Sequence, residues 1–211
     1  MLRLGIAGIG AIAGDYIGLI VGGKIRDVAL TALCSRNEAH IREAAQRHGL
    51  QAAAFTDYGA MLRSGQVDAI LICTPHAQHP EMTRQALEAG LHVLVEKPVG
   101  IFADEVAEIL PVLAERPELV CGVMYNRRAA QAYRHVKNLV QSGELGELVR
   151  CSWIITNLYR TEAYYTSGAW RGTWQGEGGG LLMTQASHQL DLMQWICGMP
   201  SSVSAHLKYG S

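Results

Sequence analysis

The stretch Leu91-His92-Val93-Leu94-Val95-Glu96-Lys97-Pro98 decides how this chain is read. Its first half is a short apolar run of the kind found in a strand buried on both faces. It then stops at an acid, a lysine and a proline. Open α/β sheets take their ligands just beyond the carboxyl ends of the strands, which is where Lys97 projects. Pro98 disfavours the α region at Lys97, so extended backbone is expected there. In isolation the stretch also fits a strand end with a solvated charge pair, and its surroundings have to choose between the two.

Upstream and just downstream of it, strands and helices alternate. Strands are expected at Leu2–Ala7, Val28–Cys34, Ala52–Phe55, Asp68–Cys73, His92–Glu96 and Leu119–Val123. Helices are expected from the turn after Ala7 to Val21, and over Asn37–His48, Asp57–Ser64, His79–Ala89 and Asp104–Glu115. Asn37 is suited to cap the second of these and Gly49 to stop it, while Pro111 should kink or split the last. Such alternation implies a doubly wound parallel sheet with helices on both faces, here over residues 1–124.

Gly8-Ile9-Gly10-Ala11-Ile12-Ala13 carries the pattern G-x-G-x-x-G/A with a strand before it and a helix after it, the context in which that weak pattern gains meaning. Gly8 permits the tight turn, Gly10 lets backbone approach a pyrophosphate, and Ala13 permits close packing of helix on sheet. The helix N-terminus then offers amide donors and positive dipole to the phosphates. An acid at the end of the second strand would bind ribose hydroxyls and repel a 2′-phosphate. The chain has Cys34-Ser35-Arg36 there instead. A serine donor and an arginine that can pair with phosphate favour NADP over NAD.

Composition restricts the rest. Of 211 residues, 49% are hydrophobic and 18% charged, which supplies a real core, and the net charge of −1 comes without a long basic or acidic run. Nothing electrostatic points to nucleic acid or an anionic membrane. Four glycines between Leu4 and Gly14 argue against a signal-peptide core, and no run reaches the ~20 apolar residues of a membrane span. Cys34, Cys73, Cys121, Cys151 and Cys197 are widely spaced, with at least three in expected strands, and read as buried free thiols of a cytoplasmic protein.

After Tyr125 the grammar changes, and residues 125–211 read as the beginning of a second, α+β domain. A helix is expected over Ala129–Gln141, a strand over Leu148–Ile155, a Gly- and aromatic-rich loop over 156–180, a helix over Leu181–Cys197 and a strand over Val203–Lys208. The loop from Tyr159 through Tyr165 to Trp174 would suit the wall of a polyhydroxylated ring. Thr184, His188 and Asp191 are spaced to share one helix face, and histidine is the side chain best suited to move a proton near neutral pH. No convincing set of metal ligands accompanies His188.

Taken together, the Gly8/Gly10/Ala13 loop, Thr74-Pro75 with His79, Glu96-Lys97-Pro98, Tyr125-Asn126-Arg127-Arg128, Trp170-Arg171 and the glycine run before His188-x-x-Asp191 make the chain resemble the glucose–fructose oxidoreductase and inositol dehydrogenase (Gfo/Idh/MocA) family. The resemblance implies a Rossmann-type domain followed by an open, mostly antiparallel sheet. It also implies an NAD(P)-dependent dehydrogenase or reductase of sugars and cyclitols. Lys97 would then bind the reacting hydroxyl and His188 would be the general acid/base, with Thr184 beside them. Gly8, Gly10, Ala11, Ile12, Ala13, Ser35, Arg36, Thr74, Pro75, His79, Glu96 and Lys97 would contact the dinucleotide. Asn126, Arg127, Tyr165, Trp170, Arg171, Gln185 and Asp191 would contact the substrate. Thr184 stands where many members carry Asp or Asn; a hydroxyl can still position substrate, but it cannot carry the negative charge of an Asp. Relatives that cleave glycosides through tightly held NAD, and a non-catalytic dinucleotide sensor, are the rival expectations. Family members exceed 300 residues, so the chain is expected to be an N-terminal fragment whose complete second domain would form a dimer or tetramer.

Overall fold

The computed structural model describes residues 1–156 and 159–206 of the chain. They divide into two compact units, Met1–Met124 with Thr161–Thr184, and Tyr125–Arg160 with Gln185 onward.

The first unit alternates β1 (Leu2–Ala7), α1 (Ala11–Val21), β2 (Val28–Cys34), α2 (Glu38–His48), β3 (Ala53–Phe55), α3 (Tyr58–Arg63), β4 (Ala69–Ile72), α4 (His79–Glu88), β5 (His92–Val95), α5 (Ala103–Ala107), α6 (Ile109–Glu115) and β6 (Cys121–Val123). The six strands form one sheet in the order β3-β2-β1-β4-β5-β6, with every pairing parallel. This is the doubly wound dinucleotide-binding topology, and its chain reversal falls between β1 and β4.

Burial explains the strand composition. β4 is Ala-Ile-Leu-Ile with all four residues buried. Its alternation sends Ile70 and Ile72 into one core with Met61, Leu87, Val93, Val95 and Ile109, and Leu71 into the other with Ile6, Ile17, Leu33 and Ile41. Each such side chain, fully buried, contributes roughly 1.5–3 kcal/mol. Local signals place the helices. The Asn37 side chain accepts from the Ala39 N–H at 3.0 Å, and Gly49 ends α2 at φ 63°. Asp57 caps α3 by accepting from the Ala60 N–H at 2.6 Å. The helix expected over Asp104–Glu115 is split into α5 and α6. Pro111 has no N–H to give the carbonyl of Ala107, which is where α5 ends. β6 is shorter than expected, because the Val120 N–H turns to the His92 Nδ1 at 3.0 Å.

The segment Thr161–Thr184, expected in the second domain, belongs to the first unit together with Trp170 and Trp174. Within the expected loop it forms the short helices α8 (Glu162–Thr166) and α9 (Trp174–Glu177), and then α10 (Leu181–Thr184).

In the second unit a 3₁₀ turn, Asn126–Ala129, precedes α7 (Gln131–Gln141), so α7 begins two residues later than expected. Opposite it lies α11 (Ser187–Cys197). Lys137 ties the two helices by donating from Nζ to the Trp195 carbonyl at 3.0 Å, with the ammonium 4.3 Å from the centre of that indole. Residues 148–155 do not form the expected strand. Among the described residues this unit contains no other strand, so 148–155 has no ladder partner, and Val149 and Ile154 stay exposed. Of the expected strand Val203–Lys208, residues 203–206 are irregular and 207–208 lie outside the described residues. The cysteines are correspondingly less uniform than expected: all five are free, Cys34 is buried, Cys73, Cys121 and Cys197 are half-buried and Cys151 is exposed.

Candidate active site

At the carboxyl ends of β1, β2, β4 and β5 the first unit opens into a cleft of about 1330 Å³. Gly8, Gly10, Ala11, Ile12, Ser35, Arg36, Thr74, Pro75, His79, Glu96 and Lys97 all line it, as the sequence implied for a dinucleotide site. Ala13 does not; it is fully buried on the inner face of α1, where its methyl group allows helix and sheet to meet.

Two glycines shape the floor for different reasons. Gly8 has φ 89°, and a Cβ there would lie 2.7 Å from the backbone of Cys73. Strands β1 and β4 approach too closely at that point for any side chain. Gly10, the residue before α1, has ordinary extended backbone, and a Cβ on it would meet nothing within 4 Å. The space it leaves open lies over the free amides of α1, which is the cradle a pyrophosphate requires. An open cradle over these amides, lined by the loops after β1, β2, β4 and β5, fits a dinucleotide. The Ser35 Oγ accepts from the Asn37 N–H at 3.3 Å, and Arg36 is exposed at the rim.

On the β4–β5 side the cleft is held by buried polar contacts. The Tyr16 hydroxyl donates to Glu96 Oε1, and the Lys97 N–H donates to Glu96 Oε2 at 3.1 Å. Burial, reinforced by this carboxylate, raises the Tyr16 phenol above its usual range and pushes the Cys73 thiol up to about 12. His79 is buried, with Nδ1 2.7 Å from the Pro98 carbonyl oxygen and Nε2 2.7 Å from that of Thr74. It therefore ties the loop after β4 to the loop after β5. A neutral imidazole has one N–H, so donating to both carbonyls needs the cation. Burial opposes the cation and lowers the His79 pKa, while the two carbonyls and Glu96 resist that shift. The Lys97–Pro98 peptide is cis.

Lys97 Nζ donates to the main-chain carbonyl of Thr184 at 2.8 Å, and the Thr184 hydroxyl is 3.3 Å from the Gly180 carbonyl. This contact corrects the expected single helix over 181–197. In a continuous helix the Thr184 carbonyl would accept from the amide four residues on. Here it accepts from an ammonium, α10 ends at Thr184, and Ala186 at φ −89°, ψ 1° precedes the start of α11. Thr184 consequently shares no helix with His188 and Asp191.

Of the residues expected to bind substrate, Tyr165, Trp170 and Arg171 belong to the first unit and Asn126, Arg127, Gln185 and Asp191 to the second. Trp170 and Arg171 line the cleft beside the nucleotide loops. The Arg171 guanidinium lies 4.3 Å from the centre of the Tyr164 ring and 4.7 Å from that of Trp170. Tyr165 packs edge-on against Tyr164 away from the cleft lining. In the second unit, Asn126 is exposed, while Arg127, Gln185 and His188 are half-buried. His188 stands edge-on to Tyr125 at 5.9 Å. Asp191 is taken by Arg128, which reaches its two oxygens at 2.8 and 2.5 Å.

Tyr16, Glu177 and His76 are not among the expected site residues, and of the three only His76 lines the cleft. Tyr16 could not be paired with Glu96 without the fold. Glu177, buried and accepting from the Gly172 N–H at 3.0 Å, lies in what reads as a loop. His76 adjoins Thr74-Pro75 and could have been marked by that adjacency alone.

Comparison with known proteins agrees with this geometry. The model of an oxidoreductase family with an NAD-binding Rossmann fold, Gfo/Idh/MocA, matches residues 2–125, and that of a Gfo/Idh/MocA C-terminal domain matches 133–210. Inositol 2-dehydrogenase of Corynebacterium glutamicum is 30% identical over 99% of this chain and 57% of its own length. Scyllo-inositol dehydrogenase from Lactobacillus casei, solved with NAD(H) and scyllo-inositol, superposes with a TM-score of 0.77 at 25% identity, over 94% of this chain and 56% of that one. The WlbA dehydrogenase from Bordetella pertussis, solved with NADH and UDP-GlcNAcA, gives 0.77 at 28% identity, over 93% and 59%. The chain thus spans about half the length of the relatives it matches.

Proposed function

Because the chain belongs to the Gfo/Idh/MocA oxidoreductase family, we propose that it carries the nucleotide-binding and proton-handling part of an NAD(P)-dependent dehydrogenase acting on a secondary alcohol of a sugar or cyclitol. The observation that carries this reading is Lys97. It stands at the end of β5 on the same cleft as the Gly8–Gly10 cradle, with its ammonium anchored on the Thr184 carbonyl. Two relatives of comparable fold were solved with reduced or oxidised nicotinamide dinucleotide and a polyhydroxylated ligand.

When bound, the nicotinamide accepts or returns the hydride. The residues of the chain do the remaining work. Lys97 orients the hydroxyl and stabilises the negative charge that develops on its oxygen, as a preorganised cation in a partly desolvated site can. His188 carries the proton, a role that suits an imidazole near neutral pH. The Thr184 hydroxyl helps position substrate. Ser35 and the exposed Arg36 favour NADP.

A panel of sugars and cyclitols, offered with NAD and with NADP, tests the proposal through the absorbance of the reduced nicotinamide. Net growth of that band with at least one polyol is expected. Product formation without net change in the band would mean internal redox recycling and would displace the proposal. Failure to bind either dinucleotide would end it.

A further inference from the structure

His76 lines the cleft without a part in the chemistry proposed for it. It follows β4 by four positions and lines the cleft with Thr74, Lys97 and Trp170. Its ring is edge-on to the Trp170 indole, with centroids 5.5 Å apart and planes at 74°, and lies 5.9 Å from that of His79. Nδ1 is 3.5 Å from the Glu177 carbonyl oxygen. The ring is therefore gripped from one side by the loop after β4 and from the other by the 170–177 segment of the same unit. Glu177 is itself fixed, since its buried carboxylate accepts the Gly172 N–H. An imidazole locked in this way presents a rigid aromatic surface.

Its place in the fold says which part of a dinucleotide it would meet. In this topology each half of the sheet serves one mononucleotide, and the glycine loop after β1 marks the pyrophosphate between them. The β2 side, with Ser35 and Arg36, takes the adenosine. The β4–β5 side, with His76 and Lys97, takes the other half. Lys97, Arg171 and His79 all face His76, and with burial as the largest influence they hold its pKa down to about 4. At working pH the ring is neutral, so it acts by shape and polarizability and not by charge.

We infer that His76, backed by Trp170, forms the wall against which the nicotinamide ring packs, and that it makes the cleft discriminate an intact dinucleotide from one lacking that ring. The inference rests on the dinucleotide reading of the cleft and adds a residue to it. Binding of NADPH and of 2′-phospho-ADP-ribose, measured by calorimetry at pH 7, tests it. His76→Ala should weaken NADPH on the order of tenfold and leave 2′-phospho-ADP-ribose within about twofold of the unmutated protein. His76→Phe, which keeps an aromatic edge against Trp170, should recover most of the NADPH affinity. Equal weakening of both ligands by His76→Ala, no weakening of either, or a Phe variant as poor as the Ala variant would overturn the inference alone. If the unmutated protein prefers NADH, the same comparison is read with NADH and ADP-ribose; if it binds none of the four, the dinucleotide reading falls and takes this inference with it.

Discussion

The ammonium of Lys97 is bonded to the backbone of Thr184 and not to its side chain. A carbonyl partner is a dipole that cannot be protonated in the working pH range. It holds the lysine in place through a dipole and adds no negative charge of its own.

Lys97→Met should therefore lower turnover roughly 10²–10³-fold, the usual loss for one electrostatic donor, with little change in dinucleotide affinity measured by quenching or calorimetry. His188→Asn should cost about 10²–10⁴ in rate. Near-normal turnover in either variant removes that residue from the mechanism.

Gly8 and Gly10 should fail differently. Gly8→Ala forces a side chain into backbone at φ 89° with a clash at 2.7 Å. The left-handed conformation alone costs about 1–2 kcal/mol, so the urea midpoint should drop. Gly10→Ala meets no protein atom within 4 Å. It should unfold at the same midpoint as the parent and bind dinucleotide weaker on the order of tenfold. A Gly10→Ala protein with parental affinity would mean that the pyrophosphate lies elsewhere.

Acid should destabilise the first unit before its carboxylates are protonated. His76 and His79 both have lowered folded-state pKa values, His76 at about 4. Below the ordinary histidine pKa of about 6.5 the unfolded chain binds protons that the folded chain refuses, so stability falls as pH falls. The urea midpoint should decline between about pH 6.5 and 4, and His76→Phe should flatten that slope. A midpoint independent of pH across this window would contradict the burial of both rings.

Arg36→Ala should weaken NADP by about 1–3 kcal/mol, the range for a charged hydrogen bond, and leave NAD nearly unchanged. Calorimetry with both cofactors reads this directly. Tighter binding of NAD by the unmutated protein would reverse the assignment drawn from Ser35 and Arg36.

The Rossmann half was legible because its signals are local. The β4 residues announce a strand covered on both faces, Asn37 and Gly49 bracket α2, and the missing N–H of Pro111 splits a helix at the position expected. The nucleotide loops follow from strand-end geometry, and all but the buried Ala13 line one cleft. What could not be read depends on partners distant in sequence. Leu148–Ile155 has strand composition, but a strand exists only if another strand takes its hydrogen bonds. At the break after Thr184 the carbonyl is taken by a lysine 87 residues earlier. Periodicity saw a continuous helix there, because nothing local interrupts one. Asp191, expected to face substrate, pairs with Arg128, a contact that spacing along α11 could not disclose.

The first unit is not a contiguous piece of chain: Thr161–Thr184 returns to it after an excursion of 36 residues, 125–160. Protein engineering that grafts specificity between relatives has to respect this. A single crossover after Met124 would transplant the glycine loop and Lys97 while leaving Trp170, Arg171 and the Thr184 carbonyl to come from the other parent. The resulting chimaera would inherit its cofactor cradle from one ancestor and one wall of the same cleft from another. A faithful exchange needs junctions at 124/125, 160/161 and 184/185.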